Sequence, residues 1–480
     1  MTTNAIRNSR KKVIISYMIR SLTTLVLLFT ICNSVNSQIV KNAWNNQGRK
    51  NIQLRVSQNG RYLEYTDGTP FFWLGDTAWE LFHRLNREEA DFYLEDRAKK
   101  GFTVIQAVAI AELDGETRPN AYGDFPLIDK DPSRPNEAYF KHIDYIVNKA
   151  ESLGLQIGLL PTWGIYWKTK AENKRRIFTP ENARKYGEFL GKRYKNKPII
   201  WILGGDQNPE NELEKTIIES MALGLRAGDE GFHLITCHPR GPGRSSDYFH
   251  NSQWLDINMY QSSHAAKSFD NGIFAEMDYK LKPVKPTLDG EPRYENIMTG
   301  FYYQGNHPAV KFTDYDARTA AYWSILAGAC GHTYGNNNIW QMWREGERNV
   351  IGANIPWYEA INHPGSFNMM HLRKFFESHS WYKLRPAQDL IIDGPDRGPG
   401  KIRAAITDDG SCLIAYSPMG EPFTINLDPL SSNLISEEWF DPRYGTYFTI
   451  HSGDVKSIKT YTPPSKGDGN DWILVVTIRK

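Results

Sequence analysis

The sequence predicts an α/β chain: a (β/α)8 TIM barrel followed by a small antiparallel β-sandwich. Three observations carry this reading. Short apolar runs alternate with helix-period stretches over roughly 300 residues, the texture of parallel strands joined by crossover helices. No GxGxxG fingerprint follows an early run, so a closed barrel fits better than the alternative, an open doubly wound sheet. Beyond the helical stretch Asn368–Glu377 the pattern changes to short alternating runs cut by Gly, Pro and Asp, as in antiparallel strands.

At the N-terminus, Arg7, Arg10, Lys11, Lys12 and Arg20 accompany the apolar stretch Leu22 to Cys32, which is too short to span a bilayer. Residues 1–37 read as a secretory signal peptide cut before Gln38. Ile31 fits a lipoprotein processing site at Cys32 poorly, so export without a lipid anchor is expected. Removal of this segment leaves Cys237, Cys330 and Cys412, an odd set without CxxC spacing, which gives neither a disulfide scaffold nor a zinc signature.

Next, Arg55 to Tyr65, the turn Asp67-Gly68-Thr69-Pro70 and Phe71-Phe72-Trp73-Leu74 read as strand, turn and strand. The eight candidate barrel strands are Phe72–Gly75, Phe102–Ala109, Leu155–Leu160, Ile199–Leu203, His233–Cys237, Ile257–Tyr260, Pro286–Leu288 and Gly331–Tyr334. Helical periodicity between them covers Arg87–Lys100, Glu137–Leu153, Pro180–Tyr194, Glu212–Ala227 and Asp314–Ala327. Between the fifth and sixth strands the helix is missing or replaced by the Gly/Pro/Ser-rich segment Arg240–Gln253. The tail strands are Ile402–Thr407, Cys412–Ser417, Phe423–Leu427, Glu438–Phe440, Tyr447–Ile450 and Trp472–Ile478. A boundary near Pro386 divides a barrel over 38–385 from a sandwich over 386–480.

With 57 Lys+Arg against 55 Asp+Glu the formal charge is +2, and without a long basic run nucleic acid is excluded as the main partner. The 14 Trp, 25 Tyr and 22 Phe exceed what a core needs and favour a flat, sugar-like substrate on which rings stack. Catalytic residues of a barrel sit where its strands end. Reading beyond each run gives Asp76, Trp163, Asp206 with Gln207, His238, Tyr260, Asp289 with Glu291, and His332 with Tyr334. Asp206 and Glu291, after the fourth and seventh runs, face each other across a barrel mouth. Two facing carboxyls are what glycosidic cleavage needs: one protonated to donate to the departing oxygen, one ionised to meet a cation-like sugar carbon. The other positions, Asp76 and Asp289 among them, are candidates to bind substrate. His238 and His332 lack His or Cys partners at i+2 to i+4, so no metal is expected, nor any cofactor. There is no GxSxG elbow and no phosphate-cradling loop. An Asp after glycines is also an ordinary cap or turn residue; the company of Glu291 and an aromatic rim favours chemistry. The competing reading, a secreted non-catalytic protein that binds glycan or collagen, would be expected to lack one of the two carboxyls.

The motifs Leu74-Gly75-Asp76-Thr77-Ala78-Trp79, Leu203-Gly204-Gly205-Asp206, Asp289-Gly290-Glu291-Pro292 and His332-Thr333-Tyr334-Gly335, in this order, resemble the apiosidase-like glycosidases of glycoside hydrolase family 140. The resemblance spans residues 50–480. In the tail, Tyr416-Ser417-Pro418, Trp439-Phe440-Asp441-Pro442-Arg443-Tyr444-Gly445 and Asp471-Trp472-Ile473-Leu474-Val475 look like the C-terminal module labelled a collagen-binding domain. The likeness implies a TIM-barrel enzyme that cuts the bond between apiose and galacturonic acid in side chains of the pectin rhamnogalacturonan II. It also implies Asp206 as acid/base and Glu291 as nucleophile. Where the wider barrel glycosidases end the fourth strand in Asn-Glu, this chain has Gly205-Asp206.

Overall fold

A computed structural model describes residues 53–479 apart from 170–175, 302–309, 433 and 455–456. The expected signal peptide, 1–37, lies outside the described residues. Eight parallel strands form the barrel: β1 (Trp73–Thr77), β2 (Val104–Val108), β3 (Gln156–Leu160), β4 (Ile199–Gly204), β5 (Ile235–His238), β6 (Asn258–Gln261), β7 (Thr287–Asp289) and β8 (Gly331–Tyr334). They pair in the order β5-β4-β3-β2-β1-β8-β7-β6. The ring closes between β5 and β6, where the Asp256 N–H donates to the Ile235 carbonyl and the Thr236 hydroxyl to the Ile257 carbonyl. Strands buried on both faces read as continuous apolar runs rather than alternating ones, which is what made them legible.

Around the barrel lie α1 (Arg87–Lys99), α2 (Glu137–Ser152), α3 (Pro180–Tyr194), α4 (Glu212–Asp229), α5 (Gly272–Tyr279), α6 (Asp314–Leu326) and α7 (Pro364–Ser378). The starts of α1 to α4 are set by side chains that take the orphan N–H groups of the first turn: Asn86 with Glu89, Asn136, Thr179 with Asn182, and Asn211. After β5 a two-residue strand, Gly243–Arg244, and the single turn Ser246–Phe249 stand in for the missing helix. Helix α5 carries no legible period, because its 8 residues are too few to establish one.

The tail is built from a six-stranded and a three-stranded antiparallel sheet. The larger runs in the order Leu384–Pro386, Arg403–Thr407, Cys412–Ser417, Trp472–Ile478, Leu434–Asp441 and Thr446–Asp454; the smaller is Ile391–Asp393, Phe423–Asn426 and Ile458–Tyr461. Alternation along the large sheet serves two cores. Leu413, Ala415, Trp439, Leu474 and Val476 meet the small sheet, while Ile414, Tyr416, Phe440, Ile473 and Val475 join the barrel's core. Tyr416 stacks on Tyr322 of α6 with centroids 5.0 Å apart, and Phe440 lies 4.7 Å from Phe375 of α7. Across the same contact, buried Arg318 of α6 makes a two-pronged pair with Asp471, at 2.8 and 2.7 Å. Among the described residues no helix is long and apolar enough to cross a membrane.

Candidate active site

Strand register decides which side chains can enter the pocket. Tyr334 lies opposite Asp76, His332 opposite Asp289, and Asp289 opposite Tyr260, so these five share one face of the sheet. It is the helix-facing side. Asp76 accepts from Tyr93 (2.6 Å) and Arg97 of α1, the Tyr260 hydroxyl meets Ser324 of α6, and Asp289 accepts from Asn271 (3.0 Å) just ahead of α5. Tyr334 donates to Glu295, which also receives the Gly365 N–H at the start of α7. Asp76, Tyr260, Asp289 and Tyr334, expected to bind substrate, therefore tie strands to the surrounding layer instead, and His332, expected to do the same, lies buried on that same face. The opposite face is crowded: a Cβ on Gly75 would come within 2.8 Å of Thr333 Oγ1.

Asp206, Glu291, His238 and Trp163 do come together. β4 runs into three successive residues of positive φ, Gly204 (87°), Gly205 (93°) and Asp206 (55°). A Cβ on Gly204 would sit 2.2 Å from the His238 carbonyl oxygen, and one on Gly205 2.8 Å from the Gly164 nitrogen, so the two glycines are required for the turn that aims Asp206. Asp is among the few residues that tolerate the left-handed region. The Asp206 N–H donates to His238 Nδ1 at 3.2 Å. That leaves the ring proton on Nε2, which lies 3.1 Å from Glu291 Oε2. One imidazole thus spans from the backbone of the first carboxyl residue to the side chain of the second. His264 Nε2 approaches the other oxygen, Oε1, at 3.1 Å. Trp79 and Trp163, with centroids 5.3 Å apart, box the His238 ring. The Tyr294 ring lies 4.7 Å from His264, in space that exists because residue 335 is glycine. Gln207, next to Asp206, packs its stem against Gly164 at the end of β3.

The two carboxyls are driven apart electrostatically. Burial, then the charge of Glu291, pushes Asp206 up to about 7, against the opposing pull of His238, Gln261 and Arg240. Burial also raises Glu291, but the hydrogen bonding and positive potential of His238 and His264 outweigh it and hold that group well below the usual carboxylate range. A third acid, the half-buried Glu112 in the loop after β2, is pushed well up by burial and by the negative charges of Asp206, Glu80 and Glu291.

Sequence reading missed Glu112, His264 and Tyr294, and gave Trp79 and Gln261, both at strand ends, no role. Trp79 stands inside the first motif, and Gln261 follows Tyr260 with the opposite strand parity, so both carried a signal. Glu112 and His264 lie in long aperiodic loops that carried none. Among the described residues no group of three or more His, Cys, Asp or Glu side chains is placed to hold a metal.

The family model for an apiosidase-like catalytic domain matches residues 57–383. The chain belongs to the apiosidase-like glycoside hydrolases. A second model, described as "Putative collagen-binding domain of a collagenase", matches residues 385–477 of this apiosidase-like protein. It is similar to a solved structure described as a glycoside hydrolase, at 33% identity and TM-score 0.81, covering 91% of this chain and 98% of that one. It is also similar to a glycoside hydrolase family 5 structure from Bacteroides vulgatus ATCC 8482, at 31% identity and TM-score 0.81, covering 91% of this chain and 94% of the other. No curated protein matches it. The apiosidase-like protein is a glycosidase, and its substrate a carbohydrate.

Proposed function

We propose that the protein is an exported endo-apiosidase that cuts the apiose–galacturonic acid linkage in side chains of rhamnogalacturonan II, by double displacement with retention. The observation that carries the two-carboxyl mechanism is the unequal pair in one pocket, Asp206 pushed up to about 7 beside a Glu291 held ionised. The apiosidase-like match supports the sugar. Glu291 attacks the anomeric carbon while Asp206 gives its proton to the oxygen of the departing galacturonate, and the carbon–oxygen bond breaks. His264 hydrogen-bonds Oε1 of the attacking carboxylate and the His238 ring stands 3.1 Å from Oε2, and together they fix its direction. Once Glu291 is esterified its charge is gone, which removes the second cause of Asp206's raised pKa. Asp206 then acts as base, taking a proton from the water that displaces Glu291. Arg240, whose positive charge acts on Asp206, suits a uronate leaving group, and Glu112, its carboxyl pushed well up by burial and its acidic neighbours, hydrogen-bonds a sugar hydroxyl.

The test is incubation with purified rhamnogalacturonan II, and in parallel with homogalacturonan and other pectins, with products followed by mass spectrometry and the first-formed anomer by proton NMR. Apiose-terminated oligosaccharides of retained configuration, from rhamnogalacturonan II alone, are expected. Release from another pectin only would overturn the substrate, and an inverted first product the double displacement.

A further inference from the structure

We propose that the C-terminal domain is part of the catalytic machinery: through Arg403 and Lys401 it fixes the loop that presents His264 to Glu291. The inference rests on Glu291 being the ionised carboxylate of the mechanism above. The loop, residues 262–271, joins β6 to α5 and is held at three levels. Both of its ends are tied to one buried carboxylate, Asp289, by the Ser262 hydroxyl (2.6 Å) and the Asn271 amide (3.0 Å). Its middle is tied by Arg293, two residues beyond Glu291, whose guanidinium donates to the Lys267 and Phe269 carbonyls at 2.6 Å each. The third hold comes from the other domain. Arg403 reaches Asp270 with Nε at 3.1 Å and Nη2 at 2.6 Å, and Glu276 of α5 at 2.6 Å, while Lys401 Nζ reaches Asp270 at 2.8 Å.

Several details mark this as a built contact rather than an incidental surface pair. The Arg403 side chain is 2% exposed, and α5 begins with glycine because a Cβ on Gly272 would meet the Arg403 guanidinium at 2.7 Å. Trp323 of α6 donates its indole N–H to the Lys401 carbonyl, and the Arg293 guanidinium lies 5.4 Å from the centre of its ring, so the second and third holds share a support. The Arg318–Asp471 pair joins α6 to the residue just ahead of the strand Trp472–Ile478, whereas the Arg403–Asp270 pair lands on the loop that carries His264. A hydrogen bond weakens steeply with misalignment, so a carboxylate gripped by a loop residue depends on what holds the loop. Arg403, Lys401, Asp289 and Arg293 are positioning residues in this sense. The groups facing Glu291 are His238 from β5, His264 from the loop itself, Asp206 from the turn after β4, Glu112 from the loop after β2 and Tyr294 beyond β7.

The experiment uses full-length Arg403→Gln and Asp270→Asn, which remove the same pair from opposite sides, with Arg318→Gln as a docking control. Amide exchange is read by mass spectrometry over 262–271, and the pH dependence of kcat/KM is read on rhamnogalacturonan II oligosaccharides. Exchange in the loop is expected to quicken about tenfold, with β4 and β5 unaffected. The acid limb of the profile should move up by about one unit as Glu291 loses His264, and kcat fall about tenfold with KM within about twofold. Arg318→Gln should leave the limb in place. Unchanged loop exchange, or a lower kcat with an unmoved acid limb, would overturn the proposal. If Arg403→Gln does not fold, Asp270→Asn decides. If the unsubstituted enzyme cleaves no rhamnogalacturonan II, the substrate reading fails, and the exchange measurement alone then upholds or overturns the hold on the loop.

Discussion

Replacing Asp471 by Asn tests whether the two domains stand as one folded unit. The Asp471 and Arg318 side chains are 0% and 1% exposed, and two N–H groups of the guanidinium meet the carboxylate at 2.8 and 2.7 Å. The Tyr416 hydroxyl also donates to it, at 3.1 Å. Removing one partner of such a pair costs about 3–5 kcal/mol, because the other charge stays buried. Here Arg318 retains Asp314 at 2.9 Å and the Asn368 side chain at 2.7 Å, and the new amide keeps one acceptor. The lower end, about 3 kcal/mol, is therefore expected. The assay is guanidinium unfolding followed by tryptophan fluorescence, run beside the double variant Arg318→Met/Asp471→Leu. With both charges gone and apolar volume kept, the double variant should return to within about 1 kcal/mol of the parent, about 2 kcal/mol more stable than Asp471→Asn. A loss under about 1 kcal/mol in Asp471→Asn, or a double variant no better than the single one, would refute the reasoning.

Asp206→Asn and Glu291→Gln, which keep volume and remove one half of the pair, should each lower kcat by about three orders of magnitude with melting temperature preserved; steady-state kinetics on rhamnogalacturonan II oligosaccharides check this. Asp206 must be protonated in the free enzyme, so kcat/KM should hold below and decline above about pH 7, one decade per unit, as its proton is lost; a pH–rate series that stays flat to pH 9 would remove it as the acid. Glu112→Gln should retain most activity because the amide keeps a hydrogen-bonding group where burial and neighbouring negative charges disfavour an ionised carboxyl, whereas Glu112→Ala should raise KM about tenfold or more. A chain ending at Ser380 would expose Tyr322 and Phe375 to water and should aggregate or melt well below the full-length protein in a thermal scan.

The barrel was legible because its strands are sealed on both faces and its first four helices open on side-chain caps, two features written locally in the chain. The tail's strands were legible too, yet nothing in Ile473-Leu474-Val475-Val476 says that its two faces belong to different cores. The site was half legible, for a geometric reason. Searching strand ends finds the rim, but in a strand of period two every second residue there points away from it. Asp76, Tyr260, Asp289, His332 and Tyr334 were chosen by position without parity, and lateral register places all five outward together. Asp206 escaped that rule because its strand ends in two glycines that turn the chain. His264 reaches Glu291 only through a long loop whose course depends on Asp289, Arg293 and a second domain, information spread over residues far apart in sequence.

The six-stranded sheet of the tail is a wall shared by two rooms. A detachable module keeps its own outer face wet and can be cut away or joined to another enzyme at its linker. Here the outer face is Ile414, Tyr416, Phe440, Ile473 and Val475, lying in the barrel's core. Separation at the junction would leave an oily scar on each half, so barrel and tail are expected to fold and to keep their solubility only as one piece.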